Sequence, residues 1–339
     1  MGKYFLGIDL HKEYAFFSLI DKKRKVLFQK RVPLERKTLL QEIEALPQGT
    51  QGVVEPLLSW SVLKELFSKK KKKLFACHPL EVKALSSKKR KNDKYDSLRL
   101  AELLRVDFLP KVHIPSKNSQ RLKSILMTRE LLLKMKHQIN QRVSSFYLGL
   151  MRKPCFERKL PPFYEKQKEI LLLILSLIEK KIKEIEKELK KEYSSQKKVK
   201  ILLSIPGIGL FCALSFLAWI DDEKRFPHQK AISAYSGFAP IIKESGKIKK
   251  KGGLSREGNS LLMRNFYLAT LHVSQSWGYL YSFYERLRKK KGKKKARVAL
   301  ARKLFCLCWT LLKKKKPFRK DYPFLKKKKE VKARISTGP

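Results

Sequence analysis

Four carboxylates and one serine in this 339-residue chain have types and spacings that can do chemistry. Asp9 sits inside the apolar stretch "YFLGIDLH". Burying a carboxylate there is costly unless it is paired or binds a cation. On a strand, Asp9 shares a face with Gly7 and His11, while Ile8 and Leu10 point the other way. Glu55 follows "GVV" and ends a short strand before Pro56. Strand ends of this kind are where sites form in parallel crossover sheets. Asp93 and Asp96 are three residues apart, so they lie on one helical face. Four converging acids repel one another unless divalent cations sit between them. Mg²⁺ takes such oxygen ligands, and two ions about 4 Å apart activate an attacking oxygen and stabilise a leaving one. A plainer reading stands beside this one. Asp93 and Asp96 also suit the first turn of any helix, and Glu55 suits an ordinary strand end.

The serine is Ser245, in "YSGFAPIIKESGKIKKKGGLSREGN" (235–259). It is expected in a glycine-rich loop with Gly246, Gly252 and Gly253, flanked by lysines. A hydroxyl so placed can attack a phosphodiester, with Lys or Arg stabilising the charge that develops. No histidine lies near it in sequence to act as base. Upstream, "LLSIPGIGLFCALSFLAWI" (202–220) reads as two apolar helices around Pro-Gly-Ile-Gly, a helix-hairpin-helix. Gly207 and Gly209 would let backbone N–H groups approach a phosphate. A tight turn between packed helices accounts for the same residues. Lys247, Lys249, Arg256 and Arg264 are the cations expected to hold nucleic acid.

The elements that must position these residues follow from periodicity. Strands are predicted at 3–11, 14–21 and 25–32, joined by short turns into an antiparallel meander. A helix at 35–46, a strand at 51–56, a helix ending at Lys69, a strand at 73–79 and a helix from Asp93 continue the chain. That order suits a mixed sheet whose later strands run parallel through crossovers, as a ribonuclease-H-like sheet is built. From about 116 the pattern turns helical. Leu171, Leu175, Ile178, Ile182, Ile185 and Leu189 form an a/d seam, which predicts a helical hairpin arm or short coiled coil. Such a seam can pair within the chain or between two copies. The domains expected are 1–112 (catalytic sheet), 113–198 (helical arm), 199–316 (helical, with Ser245) and a basic tail at 317–339.

Composition narrows the partners. Lys and Arg total 80 against 30 Asp and Glu, a formal net charge of +50. So large an excess repels itself unless a polyanion neutralises it, and nucleic acid is the expected one. A membrane surface would call for basic residues gathered in one tail, but the lysines run through every region. Single runs such as "KKKKK" (69–73) read as solvated faces or as coding bias. The five cysteines form no Cys-x-x-Cys pair and read as reduced thiols, not a disulfide or zinc framework. The longest apolar stretch, "ILLLILSLI" (170–178), is half a membrane span. With no leader-like N-terminus, a cytoplasmic, bacterial nucleoid-associated protein is expected.

"YFLGIDLHK", "GVVEP" and "CHPLEVKALSSKKRKNDKYDSLRLAELL" resemble the N-terminal half of the insertion-sequence-110 transposases, DEDD recombinases related to the Piv invertase. "IPGIG", "GFAP", "SG", "LSREGN" and "FYERLR…ARKLF" resemble the C-terminal half of the same family, so the likeness runs from about 3 to 312. Two family motifs differ here: "EPLLSW" follows Glu55 without the usual Thr-Gly, and "KNDKYD" replaces Lys-Thr-Asp. The resemblance implies a RuvC-like sheet whose acids, Asp9, Glu55, Asp93 and Asp96, bind Mg²⁺. It implies Ser245 as the nucleophile that joins covalently to DNA, with Ser255 second and Arg256 holding backbone. It further implies strand exchange between donor and target DNA, a non-coding bridge RNA that pairs with both, and a homo-oligomer (dimer or tetramer). A metal-dependent Holliday-junction resolvase or nuclease using water is the alternative, and a non-catalytic nucleic-acid-binding protein the third reading.

Overall fold

The apolar run around Asp9 is strand β1 (Tyr4–Leu10). β2 (Tyr14–Asp21) and β3 (Val26–Pro33) complete the meander, and α1 (Arg36–Glu44) leads to β4 (Thr50–Val54). Then follow α2 (Trp60–Lys69), β5 (Lys73–Cys77), α3 (Pro79–Ala84), α4 (Asp93–Arg105) and the two-residue β6 (Lys111–Val112). The structure is a computed structural model, and it describes residues 3–56, 60–84, 92–151, 153–155, 157–245, 248–254, 258–273 and 278–319. The chain divides into two compact units, Met1–Ile114 and Pro115–Pro339.

In the first unit the described strands form one six-stranded mixed sheet in the order β3-β2-β1-β4-β5-β6. β1 pairs antiparallel with β2 and parallel with β4, and β4 pairs parallel with β5. The meander and the parallel crossovers are those the periodicity predicts. Alternation along β1 splits the core in two. Leu6, Ile8 and Leu10 are buried with Leu39, Ile43, Leu63 and Phe67 from α1 and α2. Phe5 points the other way, into a cluster with Val53, Leu100, Ala101 and Leu104, the last three from α4. The sheet is therefore sandwiched between helices, and Gly7 and Asp9 fall on the side that carries α4.

The second unit begins with two long helices, α5 (Lys117–Gly149) and α6 (Pro162–Tyr193). They run antiparallel, with ion pairs Arg121–Glu192, Arg129–Glu186 and Lys136–Glu179 spaced along their length. Ile178, Ile182 and Leu189 of the predicted seam are buried, and α6 packs on α5 of the same chain. Next come α7 (Lys197–Leu203), α8 (Leu210–Ile220), α9 (Gln229–Tyr235) and a hairpin, β7 (Pro240–Ser245) with β8 (Ile248–Leu254). α10 (Ser260–Val273), α11 (Tyr279–Lys291) and α12 (Lys293–Lys314) close it. The rings of Phe216, Phe266 and Phe305 meet where α8, α10 and α12 converge, with 4.9 Å between centroids for the contacts to Phe305. Cys212, Cys306 and Cys308 lie in this helical core, Cys77 is buried in the sheet unit, and Cys155 is exposed in the link between α5 and α6. Among the described residues, no helix is long and apolar enough to cross a membrane.

Candidate active site

Asp9 and Asp93 meet because α4 lies unusually close to β1. A Cβ on Gly7 would stand 1.8 Å from the Ser97 carbonyl oxygen and 2.7 Å from the Ala101 nitrogen. Only glycine permits that approach. Ser18, opposite Gly7 on β2, then reaches Ser97 at 2.6 Å. Ser97 Oγ donates to the Asp93 carbonyl (2.8 Å), so Ser18 supplies the proton between the two hydroxyls. Gln29 Nε2 donates to Ser18 (2.9 Å) and to the Lys94 carbonyl (3.1 Å). The Asn92 side chain caps the helix by accepting from the Lys94 N–H. This network, buried at the Ser18–Ser97 contact, fixes the first turn of α4, which carries Asp93 and Asp96.

Among the described residues, Asp9, His11 and Asp93 form a group whose ligand atoms all lie within 4.8 Å of one another. His11 Nε2 stands 3.2 Å from Asp9 Oδ2 and 3.5 Å from Asp93 Oδ2. Tyr14 donates its hydroxyl to the same Asp93 oxygen at 2.8 Å. The imidazole stacks on the Tyr14 ring with centroids 4.5 Å apart, and Arg31 lies over that ring at 3.4 Å. Glu55 stands one residue beyond the last β1–β4 pair, Ile8↔Val54, and so continues beside Asp9. Asp96 lies one turn along α4 and has Arg99 at 3.5 Å.

Electrostatics tie all four acids together. Burial, opposed by His11 and reinforced by Asp93 and Asp96, holds the Asp9 carboxyl above its ordinary value. Burial, then Asp9 and Asp96, does the same to Glu55. A half-buried acidic pocket of this kind is relieved by a cation. The donor set fits a divalent ion: ligand atoms of Asp9, His11 and Asp93 converge from a strand, the residue just past it and a helix turn. Glu55 and Asp96 lie outside the tightest group yet within its field. His11 was legible only as a neighbour on Asp9's face, and Tyr14 not at all.

The second unit holds the other predicted residues. Gly207 has φ +82°, and a Cβ there would meet the Ala269 carbonyl oxygen at 2.6 Å, so packing against α10 accounts for this glycine. Gly209 caps α8, and a Cβ there would meet nothing within 4 Å. A cavity of about 440 Å³ opens at this turn, lined by Ser204, Pro206, Gly207, Gly209 and His272 among others. Arg264 turns both arms of its guanidinium to Glu130 of α5. Ser245 was expected in a loop, but it is the last residue of β7 and pairs with Ile248 of β8. Lys249 lies on β8 opposite Glu244. Lys247, Ser255 and Arg256 lie outside the described residues.

A DEDD transposase family model matches residues 6–150, and the model of the transposase IS116/IS110/IS902 family matches residues 199–285. The chain belongs to this family of transposases. It is a DNA transposase/recombinase enzyme, and a DEDD domain suggests dependence on a divalent metal, which the Asp9, His11 and Asp93 group could bind. The chain is 25% identical to "Transposase for insertion sequence element IS1111A" of Coxiella burnetii, over 93% of this chain and 91% of that protein. It is 29% identical to the pilin gene-inverting protein of Moraxella lacunata, over 35% of this chain and 38% of that protein. Both family matches coincide with the segments described above: the first spans the acid pocket, and the second contains the glycine turn and the hairpin.

Proposed function

We propose that this transposase cuts and exchanges DNA strands at a Mg²⁺ site formed by Asp9, Glu55, Asp93 and Asp96 on a RuvC-like sheet, with Ser245 as the nucleophile. The observation that carries the metal half is the close approach of α4 to β1 at Gly7, which sets Asp93 beside Asp9. When bound, the cation neutralises charge on the scissile phosphate and activates the attacking oxygen. The protein's own residues do the rest. Asp9 and Asp93 present oxygens from opposite elements, and Tyr14 holds the Asp93 carboxylate in place. Glu55 and Asp96 add negative charge around them. The Ser245 hydroxyl displaces one strand end and holds the other as a serine–DNA ester. That linkage keeps the phosphodiester energy available for joining to a new strand.

The basic second unit binds nucleic acid. Lys247, Lys249 and Arg256 follow the nucleophile in sequence, and the Pro-Gly-Ile-Gly turn acts as a helix-hairpin-helix that offers Gly209 and the start of α8 to a phosphate. The formal charge of +50 suits a cytoplasmic protein that holds donor DNA, target DNA and a bridge RNA together, working as a homo-oligomer.

The test is a denaturing gel. The protein is expressed with the non-coding RNA transcribed beside its gene, then incubated with Mg²⁺ and a supercoiled plasmid bearing donor and target. A protein–DNA adduct that disappears in both Ser245→Ala and Asp9→Asn is the expected result. Cutting without an adduct would instead point to a nuclease that uses water, and binding without cutting to a non-catalytic role.

A further inference from the structure

We infer that His11 is itself a metal ligand, which makes the pocket a mixed oxygen–nitrogen site that holds Mn²⁺ more tightly than Mg²⁺. This inference rests on the proposed reading that Asp9 and Asp93 hold the catalytic cation.

Three observations carry it. The first is distance. Adjacent ligands around an octahedral ion with bonds of about 2.1 Å lie about 3.0 Å apart. His11 Nε2 is 3.2 Å from Asp9 Oδ2 and 3.5 Å from Asp93 Oδ2, close to two such edges. The second is aim. His11 continues the face of β1 that carries Gly7 and Asp9, and its N–H donates to the Tyr14 carbonyl at 2.9 Å, which pins the backbone just past the strand. The third is support. The Tyr14 ring stacks on the imidazole, and its hydroxyl fixes the Asp93 oxygen that His11 faces. One tyrosine thus orients two ligands, as outer partners do around metal sites. The chemistry of the donor then sets the choice of ion. Mg²⁺ favours oxygen and keeps its waters, whereas imidazole favours transition metals.

The test reads the metal directly. Full-length protein carrying ¹⁵N-histidine is loaded with Mn²⁺ and studied by pulsed electron paramagnetic resonance. A hyperfine coupling that changes between ¹⁴N- and ¹⁵N-histidine protein, and is absent in His11→Gln, is expected. Calorimetric titration with Mn²⁺ and with Mg²⁺ should show the Mn²⁺-to-Mg²⁺ affinity ratio falling about tenfold or more in His11→Gln, the range seen even for residues one shell further out. His11→Asp, which keeps a ligand but makes it oxygen, should bind both ions with the same lowered ratio. No nitrogen coupling together with an unchanged ratio in both variants would overturn the inference. If Asp9→Asn still abolished Mn²⁺ binding, the proposed metal site would survive that failure. Wild-type binding in Asp9→Asn would overturn both.

Discussion

Asp9 and Asp93 are held by a six-stranded sheet and a helix packed hard against it, whereas Ser245 closes a hairpin of two strands. In the first region every position is enforced from several sides: a glycine that admits the helix, a serine pair that locks it, a tyrosine that grips the carboxylate. In the second, four of the ten paired positions are lysines. Lys243 stands opposite Lys250, and only Glu244, opposite Lys249, offsets this. Like charges directly opposite destabilise a ladder, and an isolated two-stranded hairpin is marginal in water. The comparison teaches a division of labour. The acid pocket is fixed by packing within the protein, while the hairpin, in the function proposed above, has a polyanion laid along it.

The sharpest way to break that contrast is at Gly7. Gly7→Leu should cost about 3 kcal/mol, the upper end for overpacking, because its side chain must displace backbone atoms of α4. Thermal melts and Mn²⁺ titration should show a destabilised sheet unit with no metal binding, and a stable variant with normal affinity would refute the packing argument. Next in size is Tyr14→Phe. Loss of the hydroxyl should lower divalent-metal affinity by up to about tenfold while the melting temperature changes little. An affinity equal to wild type would mean that Asp93 needs no such support.

Charge in the pocket predicts a smaller, pH-dependent effect. Asp9 and Glu55 have folded pKa values above their ordinary 3.8 and 4.5. Their contribution to stability is therefore full below those ordinary values and is lost as pH rises through the raised folded values. In metal-free protein, Asp9→Asn should melt higher than wild type at pH 7, with the advantage shrinking toward pH 4. Added Mn²⁺ should reverse the order at pH 7, since only wild type gains from binding. A lower melting temperature for Asp9→Asn in chelator at pH 7 would sink this account. The smallest effect belongs to the hairpin. Lys243→Glu replaces a cation by an acid at a position whose backbone pairs with that of Lys250. The same change should weaken DNA binding and flatten its salt dependence in a filter-binding assay. Unaltered salt dependence would take the hairpin out of the nucleic-acid interface.

Much of the sheet unit was legible in the sequence. Apolar alternation marks β1 and β2, and the short polar turns between strands force the meander. The four acids could be named because Asp9 interrupts an apolar strand and Asp93 and Asp96 open a helix. What distance in sequence hides is the contact itself. Tyr14 and Asp93 are 79 positions apart, and they meet only through the close packing at Gly7. The hairpin escaped for a different reason. Lysines at 243, 249, 250 and 251 mask any alternation, so its glycines read as a loop. Arg264 looked available for phosphate because its partner, Glu130, lies 134 residues away. β6, at two residues, is too short for any period to show.

The distribution of thiols has a practical consequence. Burial raises the thiol of Cys77 to about 12 and also pushes up those of Cys212, Cys306 and Cys308, so all four stay protonated and shielded at neutral pH. Cys155 stands exposed in the link that joins α5 to α6. A maleimide dye added to the unmodified protein should therefore couple once per chain, at the turn of the helical arm. Fluorescence from that single address can report where the arm goes when DNA and RNA are added, without any engineered cysteine.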